Sequence, residues 1–266
     1  QNPGYVDISF EMLDFGRDSY NLALDAGHYF YYGNYKPFNA VYVEMGTVVN
    51  AVSTSLVLEY FNGSSWVAVS GAVDETKAFT RSGFIQFDRP SDWASTTVNS
   101  IDAYYLRASV PVTLTAGMLV QGINILFSDD RDLIGVYPTV MDYLSNAETT
   151  FVLRHQNSRD LIMQDLRNHG MVKSRAGSGR YDQLEPFDVL DIDEVRLWST
   201  YLTLSNIFSS LQAREADFYK EKSEEYRGKA EFYKAATYLS LDKDDNGLVG
   251  STESALSITT KRLVRG

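Results

Sequence analysis

The sequence predicts an α+β protein of two domains, in which an N-terminal antiparallel β-sandwich of jelly-roll type precedes a C-terminal helical module with a long helix. Short β-branched and aromatic runs, each closed by turn residues, fill positions 20–127. A polar acidic cluster at 128–132 ends that series, and apolar residues then recur at helical spacing. Because 266 residues suffice for two ordinary domains, we place the sandwich at 1–135 and a helical domain with an extended C-terminal tail at 136–266.

The β-rich half contains one clear hairpin signal. Asn62-Gly63 separates the strand-like runs 55–61 and 66–69, and this dipeptide favours the tight turns that join antiparallel strands. Short strands at this spacing, with turn residues between them, are typical of a sandwich or jelly roll. The further predicted strands lie at 29–32, 40–45, 83–87, 103–108 and 122–127.

The helical half begins with a predicted helix over 146–169, which Gly170 would end as a C-cap. The segment 173–180 has neither apolar content nor periodicity, so we expect a basic loop there. A long helix should start near 188–193, where acidic residues suit the positive end of the helix dipole, and continue, whole or in two parts, through the charge-alternating stretch 214–234. Its apolar face consists of Val195, Trp198, Leu202, Ile207, Phe208 and Leu211.

Composition excludes several classes of function. The chain has no cysteine, which rules out disulfides, a thiol nucleophile and thiolate metal sites. Its formal net charge of −11, concentrated in the fourteen acidic against six basic residues of 1–130, argues against a basic face that wraps nucleic acid. No stretch approaches the about 20 apolar residues of a membrane helix. Residues 1–16 lack the pattern of a signal peptide, so we expect a soluble protein that is not secreted by a signal of its own.

One acidic segment fits the calcium loop of EF-hand proteins, with oxygen ligands at the required spacing and Gly247 at the sharp turn. The helix that should follow such a loop is not indicated, because 254–260 is rich in residues that favour strand or coil. Two interpretations stay open: a single calcium site that fixes the C-terminal tail, or an acidic turn that ends the helix after Leu241. The calcium ligands would be Asp242, Asp244, Asn246, Leu248 and Glu253.

Motifs of catalysis are missing from the sequence. It has no Gly-x-Ser-x-Gly elbow, no His-Glu-x-x-His pair and no phosphate-binding loop ending in Gly-Lys-Ser/Thr. Paired carboxylates such as Asp129 and Asp130 are explained more simply as helix starts and polar hinges. We therefore predict that the chain is not an enzyme. Calcium is the one cofactor that the sequence pattern suggests.

Two groups of residues are candidates for binding. Trp66 and Trp93 could form a sugar-stacking platform on the sandwich, or their rings could fill its core. Arg154, Arg175 and Arg180 could contact DNA phosphate or an acidic neighbouring subunit, or form a solvated face with a loop. The tyrosines that could share the platform are Tyr29, Tyr31, Tyr35 and Tyr104.

Four segments of the first half resemble β-sandwich domains in structural proteins of tailed bacteriophages. They form a Tyr-x-Asn-Gly-x-x-Trp hairpin, a Ser-Gly strand, a Pro-x-x-Trp turn and an aromatic strand that ends in Arg. These segments, at 59–67, 82–87, 90–93 and 104–107, cover about half of such a domain.

The second half, from about 150 to about 250, resembles phage head-to-tail adaptor proteins, also called connector or neck proteins. One helix ends in the Leu-Arg-x-x-Gly motif of 166–170, and another opens with the acidic residue and Glu-x-Arg of 193–196, followed by 202–208. An Asp-rich turn at 241–247 closes the module. The resemblance implies a homo-oligomeric ring beneath the portal that contacts tail-completion proteins and passes DNA through an acidic channel without sequence recognition.

The resemblance also implies localisation in the virion, after assembly in the host cytoplasm, with no membrane partner. Adaptor domains of this family are usually shorter, so the sandwich would be an addition that decorates the neck or contacts the capsid. Our leading hypothesis is therefore a virion structural protein of the head–tail junction. The alternative is a tail or baseplate module whose sandwich binds host glycan.

Overall fold

The computed structural model describes Val6, Ile8, Phe15 and residues 20–145, 148–171, 173–174, 181–211, 216–243 and 256–257. The chain is α+β, as predicted, and divides into two compact units, Gln1–Ile125 and Leu126–Gly266. Among the helices described, none is both long enough and apolar enough to cross a membrane.

The first unit is built from two antiparallel sheets. Its described strands are β1 (Tyr20–Asn21), β2 (Tyr29–Asn34), β3 (Ala40–Met45), β4 (Val57–Phe61), β5 (Trp66–Ala68), β6 (Val73–Asp74), β7 (Gly83–Gln86), β8 (Thr96–Val98), β9 (Ile101–Ser109) and β10 (Leu119–Asn124). One sheet has the order β2-β9-β4-β5 with β8 beside β9, and the other has the order β1-β10-β3-β7-β6. A jelly-roll arrangement of these sheets stays a prediction.

Strands β4 and β5 form the predicted hairpin, with Phe61 opposite Trp66. The side chain of Asn62 explains the turn, because its Oδ1 accepts hydrogen bonds from the backbone N–H groups of Ser64 and Ser65 at 3.0 and 2.9 Å. Gly63 has a φ of +93°, a conformation that glycine adopts without steric cost. The Asn-Gly pair therefore acts through both a side chain and a backbone preference.

Aromatic rings and a fully buried strand form the core of the first unit. All six residues of β3 are buried, as suits a strand that lies in the middle of its sheet. Phe38 is fully buried, and its ring centroid lies 5.1 Å from that of Tyr32, 5.9 Å from Phe87 and 5.0 Å from Trp93. Rings at these distances contribute beyond the area they bury.

The second unit is mainly helical. Its described helices are α1 (Asp130–Val136), α2 (Val152–Asn168), α3 (Asp193–Leu211) and α4 (Ala216–Ala236), with 3-10 turns at Val140–Tyr143 and Pro186–Asp188. Two short strand pairs join β11 (Lys173–Ser174) to β12 (Tyr181–Asp182) and β13 (Tyr238–Leu239) to β14 (Leu256–Ser257). The predicted long helix thus consists of two helices, α3 and α4.

Helix α1 occupies the acidic cluster that we interpreted from the sequence as the end of the β-rich region. Asp129 caps it, since its side chain accepts from the backbone N–H groups of Arg131 and Asp132. The Asp132 side chain in turn accepts from the backbone N–H of Asp129, which completes a capping box. Burial and the Asp129 charge raise the pKa of Asp132, while Arg196 opposes them.

Helix α2 ends as its sequence predicts. Gly170 has a φ of +76°, and its backbone N–H donates to the carbonyl of Arg167 at 2.9 Å. The N–H of Met171 reaches back to the carbonyl of Leu166 at 3.1 Å. These bonds satisfy carbonyl groups that the end of a helix leaves without partners.

A ladder of stacked rings joins α3 to α4. Tyr219, Tyr226 and Tyr233 recur every seven residues on α4, and Phe208 and Tyr201 alternate with them from α3. Neighbouring centroids are 5.1 to 6.2 Å apart, with ring planes within 24° of parallel. Because the sequence numbers fall along α3 as they rise along α4, the two helices are antiparallel. We call these five residues the ring ladder.

Small hydroxyl residues bring the helices together elsewhere. Ser205 Oγ donates to the carbonyl of Ser223 at 3.0 Å, and Ser223 Oγ donates to the carbonyl of Ser205 at 3.1 Å. Between α2 and α3, Thr203 Oγ1 donates to Ser158 Oγ at 2.8 Å. All four residues are buried, so their hydroxyl groups are satisfied inside the protein rather than by water.

Candidate functional site

Of the predicted calcium ligands, the structure describes only Asp242. Asp242 is buried, and its backbone N–H donates to the carbonyl of Asp188 at 2.9 Å. The other predicted ligands, Asp244, Asn246, Leu248 and Glu253, lie outside the described residues. Within the part of the chain that the structure describes, no group of three or more His, Asp or Glu residues could hold a metal ion. Calcium binding therefore stays a prediction.

The basic residues predicted to contact DNA or a neighbouring subunit are described in part. Arg154 lies in the first turn of α2 and is partly exposed. Arg175 and Arg180 lie outside the described residues. A role for the three arginines stays a prediction.

Ser128, His155 and Asp130 form a buried network that the sequence did not reveal. Ser128 Oγ lies 2.8 Å from His155 Nδ1, and His155 Nε2 lies 3.2 Å from Asp130 Oδ1. The residue types are those of a hydrolase triad, but the two ring nitrogens are exchanged, since a triad serine bonds Nε2 and the carboxylate bonds Nδ1. Ser128 and His155 also expose 0% and 1% of their surface, so a substrate has no access to the hydroxyl. Ser128 Oγ also bonds Ser199 Oγ at 2.7 Å. The network holds α1, α2 and α3 together.

The two tryptophans predicted as a sugar platform have different surroundings. Trp93 is 8% exposed, and its ring packs against Phe38, Phe87 and Tyr60. It is a core residue and cannot stack on an external ligand. Trp66 is partly exposed in β5, at the end of the hairpin next to Phe61. Only Trp66 of the pair is therefore available for binding.

Trp66 lies on the more exposed face of the sheet β2-β9-β4-β5. In β9, Leu106 and Ala108 are buried, whereas Arg107 between them is partly exposed. The strand register places Tyr31 and Glu59 on either side of Arg107, so these three residues share a row across the sheet. Because side chains alternate between faces along a strand, the row lies opposite the buried face.

A guanidinium group organises this face. Arg107 binds Glu59 Oε2 through Nε at 3.0 Å and Nη2 at 2.7 Å. Its Cζ lies 4.1 Å from the ring centroid of Tyr29 and 4.4 Å from that of Trp66. The Tyr31 ring meets Trp66 edge to face at 5.6 Å. We call Tyr29, Tyr31, Glu59, Trp66 and Arg107 the aromatic platform.

A cavity of about 680 Å³ adjoins the platform along β2, and Tyr29 and Tyr31 line both. Tyr105 forms a fixed wall of the cavity, because its hydroxyl donates to the carbonyl of Ile101 at 3.1 Å and its ring lies over Gly33. A Cβ at Gly33 would clash with the Tyr105 ring, so only glycine leaves room for that ring. We call this space the aromatic cleft.

The helical unit exposes large apolar side chains at one end of the α3–α4 pair. Thr237 Oγ1 donates to the carbonyl of Glu194 at 3.3 Å, so the start of α3 lies beside the end of α4. Leu197, Phe232 and Tyr238 lie at this end and are exposed, Phe232 by 66%. We call these three residues the apolar end.

The sequence indicated Tyr29, Tyr31 and Trp66 but missed Glu59, Arg107 and Tyr105 as parts of one surface. Their spacing carries no local signal, since the surface exists only after β2, β9, β4 and β5 pair in register. Comparison with known protein families, with curated proteins and with solved structures found no match.

Proposed function

We propose that the chain is a virion structural protein of the head–tail junction of a tailed bacteriophage. It assembles as a homo-oligomeric ring between portal and tail, meets the tail-completion proteins, and surrounds passing DNA without recognising its sequence. The proposal assigns the chain no catalytic activity. It also includes the finer fold predicted from the sequence, in which the two sheets of the first unit form a jelly-roll-like sandwich that faces outward.

The segments that resemble adaptor proteins occupy structurally defined places. Arg167 of the Leu-Arg-x-x-Gly segment donates to the carbonyl of Leu184 through Nε at 3.0 Å and Nη2 at 2.6 Å. Arg196 of the Glu-x-Arg segment pairs with Asp193 at 2.9 Å. In both segments the arginine stabilises the helical unit itself, so its presence is explained before any partner is considered.

The observation that carries the proposal is the apolar end. Soluble proteins expose single apolar residues freely, but several large ones at one place favour contact with another protein. Leu197, Phe232 and Tyr238 are exposed although the unit has a buried hydrophobic core, to which Phe208 and Tyr226 of the ring ladder belong. In a homo-oligomeric ring, each copy would bury its apolar end against the neighbouring copy, and the same contact would repeat around the symmetry axis.

The test is the mass of the assembly and its appearance in negative stain. The purified chain, alone and mixed with a portal protein from the same phage, should form rings of a defined number of copies. Phe232→Ser should abolish them, because it removes the most exposed apolar side chain of the apolar end. The matched control is Phe218→Ser, which changes the same residue type on the same helix, 41% exposed and close to the other end of α4.

Two outcomes would contradict the proposal. The first is a chain that stays monomeric at every concentration and ratio to portal. The second is loss of rings in Phe218→Ser as complete as in Phe232→Ser, since the contact would then not depend on the apolar end. Circular dichroism of each variant checks that its helices remain folded.

A further inference from the structure

The geometry points to a binding site for a neutral oligosaccharide, formed by the aromatic cleft together with the aromatic platform. The site lies within the first unit and does not depend on ring assembly or on the head–tail position. The chain would therefore combine an assembly module with a carbohydrate-recognition surface.

The composition of the cleft selects the ligand class. The residues that line it include five tyrosines, two asparagines and one histidine: Tyr20, Tyr29, Tyr31, Tyr32, Tyr105, Asn21, Asn99 and His28. Among the described residues that line it, none carries a carboxylate, an ammonium or a guanidinium group. Among these described residues a phosphorylated, sulfated or nucleotide ligand would find no fixed opposite charge, and burying its charge unpaired would be costly. An uncharged ligand has no such cost.

A pyranose ring matches this lining in both of its parts. Its C–H face is apolar and packs on aromatic rings, while its hydroxyl groups need hydrogen-bond partners at the rim. The rings of the cleft supply the first, and amide, imidazole and phenol groups supply the second. The cavity volume of about 680 Å³ is also within the range of about 300–1,000 Å³ that ligand sites occupy.

Tyr29 connects the two parts of the site and is accessible. Its ring lies against Arg107, at 4.1 Å from Cζ, yet 45% of the residue remains exposed to solvent. Arg107 is fixed by its two bonds to Glu59, so the ring is held without being covered. A held ring loses little side-chain freedom when it stacks on a ligand, which favours binding.

The platform adds a carboxylate and a guanidinium group, which the described residues that line the cleft do not carry. The Arg107–Glu59 pair lies one strand away from Tyr31, in the same row of the sheet. Planar charged side chains of this kind form paired hydrogen bonds. Because the two charges neutralise each other, the platform also favours no net charge on the ligand. A sugar chain longer than the cleft would continue across Arg107 towards Trp66.

The experiment uses the full chain and a printed array of neutral oligosaccharides built from hexoses and N-acetylhexosamines. Sulfated and phosphorylated oligosaccharides on the same array are the charged comparison. Binding is then measured in solution by saturation-transfer-difference NMR and by titration. We expect at least one neutral oligosaccharide to bind, and Tyr29→Ala to weaken it about fivefold to tenfold, the effect of losing one aromatic stack.

Tyr35→Ala is the matched control, since Tyr35 is also an exposed tyrosine of the first unit but does not line the cleft. It should leave the affinity unchanged. Tyr31→Phe removes only the hydroxyl group and keeps the aromatic ring. It should therefore retain most of the binding, as expected if the ring contributes by stacking. Far-UV circular dichroism of every variant should match the parent chain.

Three results would overturn the inference. They are binding of none of the neutral oligosaccharides, preference for the charged ones, and equal weakening by Tyr29→Ala and Tyr35→Ala. Ring formation by the chain has no bearing on any of them, so this test and the assembly test can fail separately.

Discussion

Replacement of Phe208 by alanine tests whether the ring ladder holds the helical unit together. Phe208 is fully buried, and four rings surround it, with centroids 5.3 Å away in Tyr137, 5.5 Å in Tyr143, 6.2 Å in Tyr219 and 5.6 Å in Tyr226. Phe208→Ala leaves all four without a central partner and opens a cavity that their rigid rings cannot fill.

The expected cost follows from burial and stacking. Removal of a buried phenylalanine side chain lowers the free energy of unfolding by about 3–5 kcal/mol. Aromatic pairs add about 0.5–1.5 kcal/mol each beyond burial, so Phe208 belongs in the upper part of that range. A loss of about 4–5 kcal/mol is a large fraction of the stability of most domains. The melting temperature of the helical unit should fall by roughly 10–20 °C.

The assay is urea and thermal unfolding, followed by the helical circular dichroism signal at 222 nm. Phe208→Leu keeps an apolar side chain but removes the ring, and should cost about 1–2 kcal/mol. Phe218→Ala is the matched control, because Phe218 is 41% exposed whereas Phe208 is fully buried, and it should change stability by less than about 1 kcal/mol. A loss below about 1.5 kcal/mol for Phe208→Ala, or one no larger than that of Phe218→Ala, would refute the reasoning.

Two further predictions concern other parts of the structure. Gly33→Ala should lower the free energy of unfolding by about 1–3 kcal/mol, because the added Cβ would meet the fixed ring of Tyr105. Gly228→Ala should raise the free energy of unfolding by up to about 1 kcal/mol, because Gly228 lies within α4 with open space around it. Chemical denaturation of both variants checks that the two changes have opposite signs. The hydrogen bond with Tyr137 raises the pKa of Tyr143 to about 12. The stability that this hydrogen bond contributes is therefore complete below pH 10, the ordinary pKa of tyrosine, and is lost as the pH rises through 12. In a titration followed by absorbance at 295 nm, Tyr143→Phe should lack one of the tyrosines that ionise late in the parent chain. A titration that the substitution leaves unchanged would contradict this.

Local sequence signals predicted several elements of the fold. The hairpin at Asn62-Gly63 and the end of α2 at Gly170 follow from backbone preferences that act over a few residues. The α+β class follows from the change in periodicity between the two halves. Helix α1 was missed because an acidic cluster indicates a polar hinge as readily as the capping box of Asp129 and Asp132.

The candidate site was less accessible from the sequence. No local sequence signal marks Trp66 as exposed or Trp93 as buried, yet one lies on the exposed face of a sheet and the other in the core. That difference depends on which strands pair and in which register, and both are set by contacts between distant residues. The cleft likewise brings Tyr29 and Tyr105 together from strands far apart in the chain. The ring ladder does have a local sequence signal, because tyrosines recur every seven residues in α4 and therefore lie on one face of that helix.

The ring ladder also gives the α3–α4 pair a mechanical property. Its rings alternate between two antiparallel helices, so each ring of α3 is held between two of α4. Sliding one helix along the other cannot break the stacks one after another, because the movement separates all the stacked rings at the same time. A force along the helix axis is therefore shared by all the stacks, so the α3–α4 pair resists shear. A force that peels the two helices apart would act on the stacks one at a time.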